Sequence, residues 1–443
     1  MGGEAARMDS DPERIWFSHV GRKLTAASGI LELMDDLGHA MTERPEILML
    51  GGGNPAHVPP VQALWRARAA ELLAAGEDFD RLLANYDPPQ GNPRFLRALA
   101  ALFARTYGWP VEACHVAVTN GAQAAFFCLL NLLAGQGPGR RRKVLLPLAP
   151  EYIGYADQTL EEDVFVSCRP LITWPDGPHT RRFKYHIDFA AVESVLAAED
   201  VAAIVVSRPT NPTGNVVSDD EVRRLSDLAA RHGALLVLDN AYGQPFPGIT
   251  FTPAEPLWAP HHVLTFSLSK LGLPGTRTGL VLGPPAIIRA LGAMTAIVGL
   301  ANGNLGQQLV LPLIESGELL ELGPRWLRPF YEERSRAAQA WLHEFLEPTG
   351  ADWALHVSEG AFFHWLWFRD LPIATSALYQ RLKARDVLVV PGDFFFFGLR
   401  DDWPHRHECL RLSFAQDPHC VQEALRRLGD EVTALYHGWP NTV

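Results

Sequence analysis

Five apolar runs in this chain end in polar or glycine residues of types that do chemistry. Val116–Val118 leads into Thr119-Asn120-Gly121-Ala122-Gln123, and Val144–Leu148 into Pro150-Glu151-Tyr152. Ala203–Val206 leads into Ser207-Arg208-Pro209-Thr210-Asn211-Pro212-Thr213-Gly214. Leu235–Leu238 leads into Asp239-Asn240-Ala241-Tyr242-Gly243, and Val263–Phe266 into Ser267-Leu268-Ser269-Lys270. Asn120, Gly121 and Ala122, ahead of an apolar helical run, offer backbone N–H groups at the positive end of a helix dipole, which suits a phosphate. Ser267 and Arg277 would add a hydroxyl and a guanidinium fork to the same anion. Asp239 closes an apolar strand, a costly place for a carboxylate unless a cation meets it. Lys270, at another strand end, would be a partly desolvated amine, able to attack carbonyls. Each residue also has a plain reading: Asn120 as a helix cap, Asn211 as a turn residue. The coincidence of all five points to one convergent site.

The elements that must position these groups are short. The six strand candidates, the five above and Gly279–Leu282, are apolar on both faces and separated by helix-like stretches. That is the pattern of a mostly parallel sheet covered on both sides, in which ligands bind beyond the carboxyl ends of the strands. A charged amphipathic helix over Trp326–Leu346 would bridge to a C-terminal α/β portion. An amine nucleophile, a carboxylate for a ring nitrogen and a phosphate cradle are together the requirement of pyridoxal 5′-phosphate.

Composition narrows the function classes. The 443 residues are 47% apolar and 20% charged, which excludes a wholly disordered chain and suits two or three domains. Lys and Arg number 39 against 50 Asp and Glu, a net charge of −11. This acidic balance argues against nucleic-acid or anionic-membrane partners, and the run Arg140–Lys143 reads as a solvated loop. Five cysteines without a C-x-x-C pair argue against a disulfide framework or structural zinc. His405, His407 and His419 lack a further ligand class nearby, so no metal is expected. The N-terminus has no signal-peptide core and no stretch is apolar enough to span a bilayer, so a cytoplasmic protein is expected. Gly51-Gly52-Gly53-Asn54-Pro55-Ala56 matches G-x-G-x-x-A, but Pro55, Pro59 and Pro60 follow, and a pyrophosphate-binding helix cannot start cleanly there.

With Tyr86-Asp87-Pro88-Pro89-Gln90-Gly91, Asn211-Pro212-Thr213-Gly214, Asp239-Asn240-Ala241-Tyr242 and Ser267-Leu268-Ser269-Lys270 in this order, the chain resembles the fold-type I pyridoxal-phosphate aminotransferases. Leu50-Gly51-Gly52-Gly53-Asn54-Pro55, Pro147–Tyr155 and Leu271-Gly272-Leu273-Pro274-Gly275 are similar to the valine–pyruvate group within them. The resemblance runs from about Gly29 to Leu435. It implies an α/β fold: a mostly parallel seven-stranded sheet sandwiched by helices, with a smaller α/β domain made of the N- and C-terminal parts. Segment 1–60 would belong to the small domain, 61–325 would form the large cofactor-binding domain, and 326–443 the C-terminal small domain.

The resemblance also implies roles. Lys270 would hold the cofactor covalently and shuttle the substrate's α-proton. Asp239 would pair with the pyridine nitrogen, Asn211 and Tyr242 would bond the ring's 3-oxygen, and Tyr152 would stack on the ring. Gly121, Ala122, Gln123, Ser267 and Arg277 would hold the phosphate. Tyr86 would reach the phosphate of a neighbouring subunit, which makes a homodimer with shared sites part of the expectation. Arg411 and the backbone at Gly53 would grip the substrate carboxylate. The expected partners are an amino acid and a 2-oxo acid.

The amino donor is expected to be neutral and aliphatic, valine-like, with pyruvate as acceptor. No Arg or Lys lies between Arg289 and Arg325, where a dicarboxylate enzyme would need a second cation. Ile297, Val298 and Leu300 lie in that span; Phe362, Phe363, Trp365 and Trp367 read either as a core strand or as an apolar wall near substrate. The run Phe394–Phe397 departs from the more polar pattern expected there. The same scaffold serves carbon–sulfur lyases, which these motifs do not separate from transaminases. A regulator's sensor domain would need a winged helix ahead of the fold, and about 30 residues precede the resemblance.

Overall fold

The computed structural model describes residues 16–177, apart from positions 27, 33, 36–37 and 39–45, and residues 180–437. Its larger sheet runs, in spatial order, Val116–Thr119, Gly279–Leu282, His262–Ser267, Leu235–Asp239, Val201–Ser207, Arg141–Leu146 and the two-residue strand Gly135–Gln136, with Phe165–Ser167 also pairing with Arg141–Leu146. All six expected strands are present. Seven strands form the expected sheet, and the eighth is the two-residue Gly135–Gln136. Gly279–Leu282 is antiparallel to both its neighbours, whereas the four strands from His262–Ser267 to Arg141–Leu146 run parallel.

These strands form because they are covered on both faces. Every residue of Val201–Ser207 is buried. A parallel strand so enclosed needs no polar alternation, which is why it reads as an unbroken apolar run. Only its last residue, Ser207, is polar.

A six-stranded second sheet is built from Val390–Pro391, Cys409–Ser413, Phe363–Phe368, Trp353–His356, Arg182–His186 and Leu171–Thr173. Its last two strands come from the middle of the stretch assigned to the large domain. Leu48–Met49 pairs in parallel with Val387–Leu388, tying the N-terminal segment to the C-terminal part. The expected long helix spans Arg328–Leu346.

Some helix starts are closed by their own sequence. Asn92 accepts from the N–H groups of Arg94 and Phe95 ahead of Pro93–Tyr107. Ser218 and Glu221 form a reciprocal capping box ahead of Asp219–Arg231. A helix does start at Pro59, contrary to the expectation: proline loses nothing in the first turn, where its missing N–H would have had no partner. Ala122–Leu133, like the helices at Pro59–Ala74, Glu77–Ala84 and Pro285–Gly299, begins without a side-chain cap. Among the described residues no helix is long and apolar enough to cross a membrane, and no cluster of three metal-ligating side chains occurs.

Candidate active site

The strand ends meet at one place. Lys270 stands in the short 3-10 helix that leaves His262–Ser267, and its Nζ donates to the Gly53 carbonyl at 2.6 Å. The amine lies 5.3 Å from the ring centres of both Tyr242 and Phe362. Burial, with the charges of Arg411 and Arg277, lowers its pKa to about 7. Near neutral pH a good share of it is an uncharged nucleophile.

Asp239 closes the neighbouring parallel strand and is 6% exposed. Its Oδ2 accepts from the Tyr155 hydroxyl at 2.5 Å, and its Oδ1 from the Ala241 N–H at 2.9 Å and the Thr265 hydroxyl at 3.1 Å. Burial pushes its pKa up, opposed chiefly by the Tyr155 hydrogen bond. Among the described residues no ion pair meets this carboxylate, so a cationic ring nitrogen suits it.

Arg411, on Cys409–Ser413, is 2% exposed. Its Nη1 donates to Asn211 Oδ1 at 2.8 Å and its Nη2 to the Gly51 carbonyl at 2.6 Å, while Nε has no partner. Phe363 lies 4.4 Å and Phe395 5.3 Å from its Cζ. Burial lowers its pKa to about 10, still well above neutrality. Among the described residues no carboxylate pairs with it. A buried guanidinium held by neutral acceptors is ready for an external carboxylate, which two parallel N–H donors can take as a fork.

The anion cradle lies at the uncapped start of Ala122–Leu133. Gly121 has φ +86°, and a side chain there would collide with the Arg277 guanidinium. Glycine thus meets both a backbone and a space requirement. Ser267 Oγ accepts from the Ser269 N–H at 3.1 Å, leaving its proton to donate. Gln123 and Tyr152 are joined by a 3.4 Å hydrogen bond from the tyrosine hydroxyl, and Gln123 Nε2 donates to the Gly154 carbonyl. A Cβ on Gly154 would strike the Tyr152 ring, so this glycine lets the ring lie against the backbone. Uncapped N–H groups, a guanidinium, a cation-seeking carboxylate and a depressed lysine fit pyridoxal phosphate on their own geometry.

The structure therefore brings Lys270, Asp239, Asn211, Tyr242, Arg411 and Gly53 into one connected set, with Gly121, Ala122, Gln123, Tyr152, Ser267 and Arg277 beside it. Gly53 meets the lysine here. Tyr86 stands apart, 80% exposed. Phe362 and Phe363 are core residues, fully buried, and both pack edge-on against Tyr242. A cavity of about 170 Å³ opens beside Lys270, with Pro55, Val58, Val61, Leu327 and Tyr331 in its lining. Sequence reasoning gave no role to Glu151, Tyr155 or Thr265. Thr265 had a signal: a threonine within an apolar strand, two residues before Ser267 and so on its face. In the sheet register it sits directly opposite Asp239.

The profile of the family described as aminotransferase class I and II matches residues 46–428. The valine–pyruvate aminotransferase of Escherichia coli K12 is 47% identical over 418 residues, 94% of this chain and 98% of that one. A solved structure of a putative amino-acid aminotransferase from Psychrobacter arcticum superposes with a TM-score of 0.92 at 40% identity, covering 96% of this chain and 100% of that one. The valine–pyruvate aminotransferase of Salmonella typhimurium superposes with a TM-score of 0.83 at 44% identity, covering 93% and 100%.

Proposed function

The chain belongs to the class I and II aminotransferases, pyridoxal-phosphate enzymes, and from that membership we propose that it moves the amino group of L-valine, or a similar neutral aliphatic amino acid, to pyruvate. The products are L-alanine and the branched 2-oxo acid. The observation that carries the substrate is the near-full-length 47% identity to the E. coli enzyme of that name. The apolar rings about Arg411 agree with a neutral substrate.

A bound pyridoxal phosphate supplies an aldehyde for the substrate amine and a cationic ring that takes up the electron pair of the Cα–H bond. This chain's residues do the rest. Asp239 holds the proton on the ring nitrogen, and Tyr155 and Thr265 hold Asp239 in place. Asn211 spends its Oδ1 on Arg411 and so turns its amide N–H toward the ring's 3-oxygen, beside Tyr242. Tyr152 covers one face of the ring. The N–H groups of Ala122 and Gln123, with Ser267 and Arg277, would bind the phosphate; the Gly121 N–H is already given to the Thr119 carbonyl at 2.8 Å, so Gly121 serves by its backbone conformation and lack of a side chain. Arg411 takes the α-carboxylate and so aims the Cα–H bond. Lys270 Nζ, once free, would take the proton from Cα and give it to the cofactor's C4′ carbon, and in the second half of the cycle would carry a proton from that carbon to the acceptor's Cα.

The proposal includes a homodimer with shared sites, Tyr86 serving the neighbouring subunit's phosphate. Supporting it are the exposed apolar residues Ile297, Val298, Leu300 and Leu305, and the bond from Asn304 Nδ2 to the carbonyl of Asn85, which puts Tyr86 on that same face. A fully active monomer in sedimentation would refute it. We also assign the strands within 171–186 to the smaller domain. The test of substrate is an absorbance spectrum of the loaded protein with single amino acids. L-Valine and L-alanine should each bleach the yellow form and pyruvate restore it; a response to L-glutamate alone overturns the assignment.

A further inference from the structure

We propose that Glu151 is a positioning residue for the substrate-carboxylate site, fixing Arg411 from two sides: through Ser207 and Asn211 on one, and through Phe395 on the other. The inference rests on the reading of Arg411 as the carboxylate grip.

Glu151 sits on the loop after Arg141–Leu146, one residue before Tyr152, and is 0% exposed. Its Oε2 accepts from the Ser207 N–H at 2.9 Å. Its Oε1 accepts from the Tyr152 N–H at 2.8 Å and from the Ser207 hydroxyl. The same hydroxyl oxygen accepts from the Asn211 N–H at 3.3 Å, and Asn211 Oδ1 accepts from Arg411 Nη1 at 2.8 Å. On the second side, the Glu151 N–H donates to the Phe395 carbonyl at 2.9 Å. The Phe395 ring lies 5.3 Å from the Arg411 guanidinium and is braced edge-on by Trp365 at 5.6 Å. Two routes thus leave one buried residue and end on the same guanidinium.

The chemistry of the hub supports this use. Among the described residues no cation pairs with Glu151, and burial raises its pKa to about 8, against the pull of the Ser207 and Tyr152 hydrogen bonds. The side chain is therefore held by its donors and not by charge. Two of these are backbone N–H groups, which donate only. The third is the Ser207 hydroxyl, which can give or take the proton between the two groups, so the link to Asn211 persists in either protonation state. Glutamine breaks this arrangement. Whichever way its amide is turned, the NH₂ faces a backbone N–H, of Tyr152 or of Ser207.

The experiment uses the loaded enzyme and compares L-valine with isobutylamine, which carries the same side chain without the carboxylate. Single-turnover loss of the cofactor's visible absorbance reads each half-reaction. Glu151→Gln should lower kcat/KM for L-valine about tenfold, mostly through KM, because a buried donor is left unmatched. The slow isobutylamine reaction makes no use of Arg411, so what it loses reports Asn211 and Tyr152 at the ring, and the valine-to-amine ratio should still fall about fivefold. Ser207→Ala removes only the hydroxyl between Glu151 and Asn211. It should move the valine-to-amine ratio in the same direction, and it decides the matter should Glu151→Gln fail to fold. A parallel fall for both substrates, or no change in either, overturns the proposal. Arg411→Ala is the separate control. If it abolishes the preference for valine while the Glu151 and Ser207 variants keep it, the grip stands and the proposal alone falls. If Arg411→Ala keeps that preference, the reading of the grip has failed first.

Discussion

The two sheets spend their polar residues differently. In the larger sheet the strands are mostly aliphatic; the cations Arg141–Lys143 lie at the start of their strand, and at the carboxyl ends Asp239, Lys270 and the N–H groups at Gly121–Gln123 have neutral partners or none. In the second sheet, aromatic and histidine side chains fill the interior. There Trp365 Nε1 donates to the Tyr185 hydroxyl at 3.0 Å, that hydroxyl bonds His405, and His356 Nε2 accepts from the Tyr185 N–H at 3.1 Å. From this sheet the cation that reaches the site is Arg411. The larger sheet is thus built to receive a ligand, whereas the second satisfies most of its polar groups internally and presents one cation. Buried groups left without a counter-charge are costly in a folded chain, and those around this site are the ones an amino acid and a phosphorylated ring would meet.

The sharpest way to break this contrast is at the strand end. Lys270→Ala should remove transamination by about 10⁴-fold or more, together with the visible absorbance of the loaded protein; retained turnover would void the lysine's role. Removing the second sheet's one contribution should cost less. Arg411→Lys keeps the charge but replaces a planar fork by a point, and kcat/KM for L-valine should fall about 100-fold. Equal efficiency would mean that the second sheet supplies only structure.

Milder tests use pH. Because Lys270 loses its proton near pH 7, the rate at which cofactor-free protein captures pyridoxal phosphate should rise as pH passes through 7 and then level off. A rise that begins only near 10 would place the amine in water. The second sheet should betray its buried imidazoles. Burial lowers His356 and His405 to about 3 and His364 to about 4, below the ordinary value of about 6.5. Between these limits the unfolded chain binds more protons than the folded one, so stability is full above pH 6.5 and is lost as pH falls. The melting temperature should drop by about 5 °C between pH 7 and pH 5. Trp353, Trp365 and Trp367 in this sheet provide the fluorescence signal, and a flat profile would contradict the burial of these imidazoles.

Much of this was legible beforehand because it is local. A strand enclosed on both faces reads as an apolar run, and a functional group at its end reads as an abrupt change of residue type; Asp239 and Lys270 announced themselves in that way. The second sheet was harder. Leu171–Thr173 and Arg182–His186 were read with the large domain because they lie between its strands in the chain, yet they pair with residues beyond 350. Phe362 and Phe363 left two readings open; both rings are buried in the core, and both pack edge-on against Tyr242. The run Phe394–Phe397 departs from the expected pattern, and only tertiary contact places Phe395 beside Arg411.

The sequence by itself determined the chemical inventory: a strand-end lysine, a carboxylate, an anion cradle and a late arginine, each set by residues a few positions apart. Only the tertiary structure decided which of these groups are satisfied. Arg411 meets Asn211 across 200 positions and Gly51 across 360, and Glu151 is joined to Ser207 across 56. Such pairings depend on how the two sheets close on each other in space. Burial then turns each pairing, or its absence, into a shifted pKa and a place for a ligand.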